Sequence, residues 1–106
     1  MTTRLLTLPE LGLLLYMLRG KPEAERLLAG LPTARVEELE DGGMGSLQFV
    51  SGKQNRRLGH LLATTWYTDA DGVAVLASLY ADADGELFEL DSWKVDDSPL
   101  QRIPAF

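Results

Sequence analysis

Two carboxylates near the C-terminal end of the chain pose the main chemical question. Glu89 and Asp91 lie two residues apart in a segment with strand periodicity. Both therefore project from one face, about 7 Å apart. Carboxyl groups at that spacing can divide acid and base work between them. Leu87, Trp93 and Val95 are expected on the same face, so the acids interrupt an apolar row. The structural alternative is a sheet margin, where acids pair with Arg or Lys or block edge-to-edge association. His60 is the only histidine. With Ser46 or Thr64 it would be half of a nucleophile–base pair. The alternation of Leu58, His60 and Leu62 instead puts it on a mostly apolar face, as expected of a core or edge histidine.

Three further clusters have residue types that bind ligands. Lys53, Arg56 and Arg57 are the one basic cluster, in a polar loop suited to a phosphate or carboxylate. The ordinary alternative is a solvated loop balancing nearby acids. Asp41-Gly42-Gly43-Met44-Gly45-Ser46 is dense in glycine, but a strand pattern follows it. A phosphate cradle needs a helix N-terminus after the glycines, so a wide turn or bulge between close backbones is the better reading. Asp69-Ala70-Asp71-Gly72 recurs as Asp82-Ala83-Asp84-Gly85. Calcium takes several carboxylate oxygens from one loop. With the aspartates at the third and fifth positions of an EF-hand loop, the first position is Tyr67 or Tyr80, and neither can ligate through a carboxylate. No metal or cofactor is expected. The two segments read as hairpin turns at one end of a sheet.

The elements that must position these groups follow from capping and periodicity. Thr7-Leu8-Pro9-Glu10 has capping-box spacing, with proline tolerated in the first turn. Leu8, Leu11, Leu15 and Leu18 then share a stripe, while Leu13, Leu14, Tyr16 and Met17 fill other faces. A helix this apolar all round requires deep burial or a homodimer seam. Gly20 ends it. A second helix opens at Pro22 and stops at Gly30 and Pro32, so the two form an αα-hairpin. Beyond Pro32 the period becomes that of strands, expected at 34–40, 46–50, 58–68, 73–80 and 86–95. Short turns between them predict a five-stranded antiparallel meander. Helices followed by strands give an α+β fold, with the helical hairpin on one face of the sheet.

Composition narrows the function classes. At 106 residues the chain has room for one domain, residues 1–106, with a core large enough to need no staples. It has no cysteine, so thiol chemistry is excluded and a reducing, cytoplasmic setting is expected. Its net charge of −6 disfavours nucleic acid and suits a basic protein partner. Residues 69–97 hold nine acids against one base, Lys94. The apolar run 11–18 is too short to span a membrane. Pro9 and Glu10 break the apolar stretch that a signal peptide would need.

The segments Asp41-Gly42-Gly43-Met44-Gly45-Ser46-Leu47 and Glu89-Leu90-Asp91-Ser92-Trp93-Lys94-Val95-Asp96-Asp97-Ser98-Pro99-Leu100 resemble the two signatures of a small bacterial family of unknown function. The resemblance extends over nearly the whole chain, including the 69–72 turn. It implies a stand-alone, soluble bacterial protein and transfers no catalytic residue. It directs any shared binding role to Asp41, Gly42, Gly43 and Ser46 in the first segment and to Trp93, Lys94 and Asp96 in the second. The tail from Ser98 to Phe106 is apolar enough to pack back on the domain. Three functions stay open: an interaction module, of which an immunity or inhibitor protein is one form; a small enzyme using Glu89 and Asp91; and a ligand or divalent-metal sensor at the aspartate turns.

Overall fold

The computed structural model describes residues 2–106. It is an α+β fold with two helices and a six-stranded antiparallel sheet. The expected capping box forms. Thr7 Oγ1 accepts the Glu10 amide at 3.3 Å, and the Thr7 amide donates to Glu10 Oε1 at 2.8 Å. Helix α1, Leu8–Leu18, grows from this cap and stops before Gly20, whose φ of 75° is unstrained for glycine. Helix α2, Ala24–Ala29, is followed by one 3₁₀ turn, Leu31–Thr33.

Strand β1, Arg4–Leu5, was not expected from the sequence, because two residues carry no period. Tertiary contacts define it. It pairs with β2, Arg35–Glu38, and Arg4 clamps Glu10 with two bonds of 2.8 Å. Burial alone would raise the Glu10 pKa. The Arg4 bonds and the Thr7 amide outweigh it, and the net shift is downward.

The other strands are β3, Leu47–Phe49; β4, Leu58–Thr68; β5, Ala74–Asp82; and β6, Leu87–Lys94. Their spatial order is β1-β2-β3-β6-β5-β4, so the expected five-strand meander is corrected. β4, β5 and β6 do form a meander, but β3 pairs with β6 rather than with β4. The chain crosses from β3 to the far edge of the sheet through residues 50–57. Short turns predict local hairpins, and nothing local encodes the β3–β6 pairing. The two Asp-Ala-Asp-Gly turns are also not at one sheet end. They precede and follow the single strand β5, and so cap its opposite ends.

One face of the sheet packs on the helices. Val75, Ala77, Leu79 and Ala81 of β5 alternate into a core shared with Leu13, Leu14, Met17 and Leu18 of α1. The helix is not buried all round. Leu8 is 81% exposed and Leu15 56%. Leu14 is fully enclosed, so Leu14→Ala should lower stability by about 3 kcal/mol. Urea denaturation reads this directly. A loss below about 1 kcal/mol would show that α1 lies outside the cooperative core.

Candidate functional site

The segments 41–47 and 89–100 meet in space, and Lys94 ties the second of them to the 69–72 turn. Its side chain is 0% exposed at the end of β6. An ammonium so enclosed costs several kcal/mol in lost hydration unless every proton finds a partner. Here each does. Nζ donates to Asp69 Oδ2 at 2.8 Å, Asp71 Oδ2 at 2.6 Å and the Pro99 carbonyl at 3.1 Å. Asp69 is equally occupied. Its oxygens also accept the amides of Ala70, Gln101 and Arg102 at 2.6, 2.8 and 2.9 Å. Burial pushes the Asp69 pKa up, but Lys94 and the three amides reverse this and hold the carboxyl well below the usual range. The result fixes the tail to the β4–β5 turn.

The glycine-rich segment supplies the other wall. Asp41 accepts the amides of Met44 and Ser46, each at 3.0 Å, which curls the loop. Ser46 Oγ accepts the Ser92 amide at 2.9 Å and donates to its carbonyl at 3.3 Å. The Gly43 carbonyl accepts the Leu100 amide at 2.9 Å. A Cβ on Gly45 would stand 2.8 Å from Leu100 Cδ2, and the φ of 96° there disfavours any other residue. Asp96 accepts the Ser98 amide and hydroxyl, and Trp93 Nε1 donates to Asp97. Asp41, Gly43, Ser46, Lys94 and Asp96 are thus engaged with the chain itself. Gly42 is exposed at the loop, with a φ of 76°.

The second aspartate turn repeats this device at the other end of β5. Asp82 Oδ1 accepts the amides of Asp84 and Glu86, and Oδ2 meets Arg56 Nε at 3.1 Å and Lys53 Nζ at 2.9 Å. Arg56 also donates to the Phe49 and Leu87 carbonyls, and Lys53 reaches Asp84 and Glu86. Two of the three cations proposed to hold an anion are therefore committed to internal acids. Arg57 is exposed. Among the described residues, no group of three or more acids or histidines is arranged to hold a metal.

Glu89 and Asp91 lie elsewhere, on the face of the sheet that the helices leave open. β6 sits between β3 and β5, so these acids are central and not at a sheet margin. Glu89 is in register with Gln48 and Tyr80, and Asp91 with Ser78. Both are half-buried. Burial first, and the Asp91 carboxylate second, push the Glu89 pKa above its ordinary value. A register shift at Tyr80/Ala81 turns Leu87 towards the core, so Leu87 does not share their face as expected. Trp93 does, and it meets Trp66 of β4 edge-on, with ring centroids 6.5 Å apart. The two rings are 46% and 56% exposed. His60 is exposed and in register with Ala81, outside the row of Leu61, Tyr80 and Glu89. It does not converge with the carboxylates, nor with Ser46.

Sequence reasoning missed Trp66 as part of this face, since only the β4–β5–β6 register brings it to Trp93. It also missed an apolar groove of about 590 Å³ on the far side of the molecule, between α1, the 3₁₀ turn and the tail. Leu8, Leu15, Leu31, Ile103 and Phe106 are among its walls.

Fold and site together define a small α+β domain with one sheet face covered, one open, and the segments 41–47 and 89–100 spent on an internal clasp. The chain belongs to the family described as Domain of unknown function (DUF6984), which matches residues 3–104. No curated protein and no solved structure matches it. None of its helices, among the described residues, is long and apolar enough to cross a membrane.

The clasps set the pH response. Asp69 and Asp82 have lowered pKa values in the folded state. Their stabilisation is therefore present above the unfolded carboxylate range, about 4, and lost as pH falls below it. Thermal melts should be flat between about pH 5 and 7 and fall steeply below about pH 4. Asp69→Ala should cost about 3 kcal/mol, because it leaves Lys94 without its buried partner. It should also expose the tail to carboxypeptidase. A tail as resistant as the wild type's would remove Asp69 from the clasp.

Proposed function

We propose that the protein is a protein-interaction module that receives a basic partner on the open face of its sheet. The observation that carries this reading is the Glu89–Asp91 pair. Two like charges occupy a central strand, and no ion pair among the described residues engages either. Their repulsion is a standing cost that an incoming Lys or Arg would relieve. The exposed rings of Trp66 and Trp93 lie on the same face, and aromatic residues of this kind anchor interfaces. Complementary charge would also steer a basic partner in solution. An immunity or inhibitor protein acting on a basic target is the form that best suits a small acidic domain.

Catalysis by the same pair has less support. The apolar groove of about 590 Å³ lies on the other side of the molecule, and neither acid lines it. His60, the natural third member, stands outside their row.

Tryptophan fluorescence against an array of Arg- and Lys-containing peptides tests the reading. Binding should weaken with salt and be lost in Glu89→Gln/Asp91→Asn. Peptides that bind the double variant as well as the wild type would end the proposal, as would an array with no binder. A second expected result is opposite in sign. Glu89→Gln removes a like-charge contact, so at neutral pH it should stabilise the free domain by about 0.5 kcal/mol. Paired urea melts of the two proteins would show it, and a loss of stability would contradict it.

A further inference from the structure

We infer that the groove between α1, the 3₁₀ turn and the tail binds a free fatty acid, with its hydrocarbon chain in the groove and its carboxylate beside Arg19 and Lys21. The groove holds about 590 Å³, within the range of small-molecule sites. None of the side chains that line it carries a polar or charged atom. Leu8 and Leu15, on its α1 side, are 81% and 56% exposed, so a continuous apolar surface stays in contact with water. Gly12 sits between them on the same side. Glycine is a poor helix former, and a helix interior tolerates it at a cost. Gly12 has no positive φ to require it, and nothing stands within 4 Å of the place a Cβ would take. The fold itself therefore does not call for glycine here. The missing side chain keeps the groove open at the middle of its length.

Charge selects the occupant. Leu8, Gly12 and Leu15 follow one another at helical spacing, and Arg19, the residue that caps α1, continues the same stripe four residues on. The apolar groove thus leads to a cation. The Arg19 guanidinium lies 3.8 Å over the Tyr16 ring, and that ring is 4.9 Å from Phe106 in the groove wall. Tyr16 also lines a polar cleft of about 270 Å³ together with Arg19, Lys21, Thr64 and Thr65. Neither cation forms an ion pair among the described residues. The Arg19 side chain donates to the Tyr16 carbonyl at 3.4 Å, which leaves most of its N–H groups for an anion. A hydrocarbon groove that ends at two uncommitted cations complements a chain that ends in a carboxylate, whose two oxygens match the guanidinium fork. The net charge of −6 opposes both a second copy and an anionic membrane surface, so the occupant is a free molecule. The groove lies across the molecule from Glu89 and Asp91, and it can succeed or fail independently of the function proposed above.

Calorimetric titration of the whole chain with dodecanoate, kept below its micelle concentration, tests this together with methyl NMR. Saturable binding of one molecule per chain is expected, with the methyl signals of Leu8, Leu15 and Ile103 shifting as it fills. Gly12→Leu puts a side chain into the groove and also improves the helix, so its thermal melt should be unchanged or higher. It should weaken dodecanoate by at least about tenfold. If that variant does not fold, Leu15→Gln should weaken binding in the same direction. Arg19→Gln/Lys21→Gln should weaken dodecanoate about tenfold and leave dodecanol unchanged. Absence of saturable binding overturns the inference. So does binding that Gly12→Leu and Leu15→Gln leave intact, or dodecanol held as tightly as dodecanoate by the wild type. A ligand-free dimer in sedimentation velocity that Gly12→Leu dissociates would overturn it by making a second copy the occupant. Binding to vesicles of anionic phospholipid without binding to dodecanoate would overturn it in favour of a membrane surface.

Discussion

The enclosure of Lys94 is the constraint on which the rest of the structure depends. A buried ammonium must have acceptors for all three protons, and no single neighbouring segment supplies three. The fold meets this by bringing together the end of β6, the turn after β4 and the tail beyond Pro99. Once Asp69 is committed to Lys94, its remaining lone pairs fix Gln101 and Arg102. The tail then passes under α1, where Phe106 packs on Tyr16 and Tyr67. Tyr67 pays for this closeness: its hydroxyl is buried without a partner, and burial and Asp69 together push its pKa up to about 12.

The same device closes the other end of β5. Asp82 gathers two amides and two cations, so the repeated Asp-Ala-Asp-Gly is more than a shared turn type. In each copy the first aspartate is buried and the glycine takes the positive φ, while the partners come from distant segments. Most of the local acidity is thereby neutralised inside the domain. What is left uncompensated stands out for that reason. On β6, neither Glu89 nor Asp91 has a cation.

Much of the local structure was legible in the chain. Thr7 and Glu10 announced α1, Gly20 its end, and Asp71-Gly72 and Asp84-Gly85 the two hairpins. The span 58–68 was readable as a strand from its residues alone. What escaped was whatever depends on contacts between distant segments. Nothing near Leu47 indicates that its neighbour will be Leu90. The bulge that turns Leu87 inward comes from the β5–β6 register and not from its own alternation. Lys94 was visible as the one base in an acidic stretch, but its burial followed only from where Asp69, Asp71 and Pro99 converge. For the same reason, segments 41–47 and 89–100 could not be read as two walls of one clasp.

The crossover between β3 and β4 has a consequence for a chain made from its N-terminus. When Leu47–Phe49 leaves the ribosome, β2 is its only available neighbour, because its other neighbour, β6, is encoded some forty residues later. The first half of the sheet must wait with one side open until the second half is complete. The clasp waits longer still, since the carbonyl of Pro99 and the amides of Gln101 and Arg102 are encoded after β6. Until then Lys94 and Asp69 stay hydrated, and they leave water only when residues 99–102 are present to receive them.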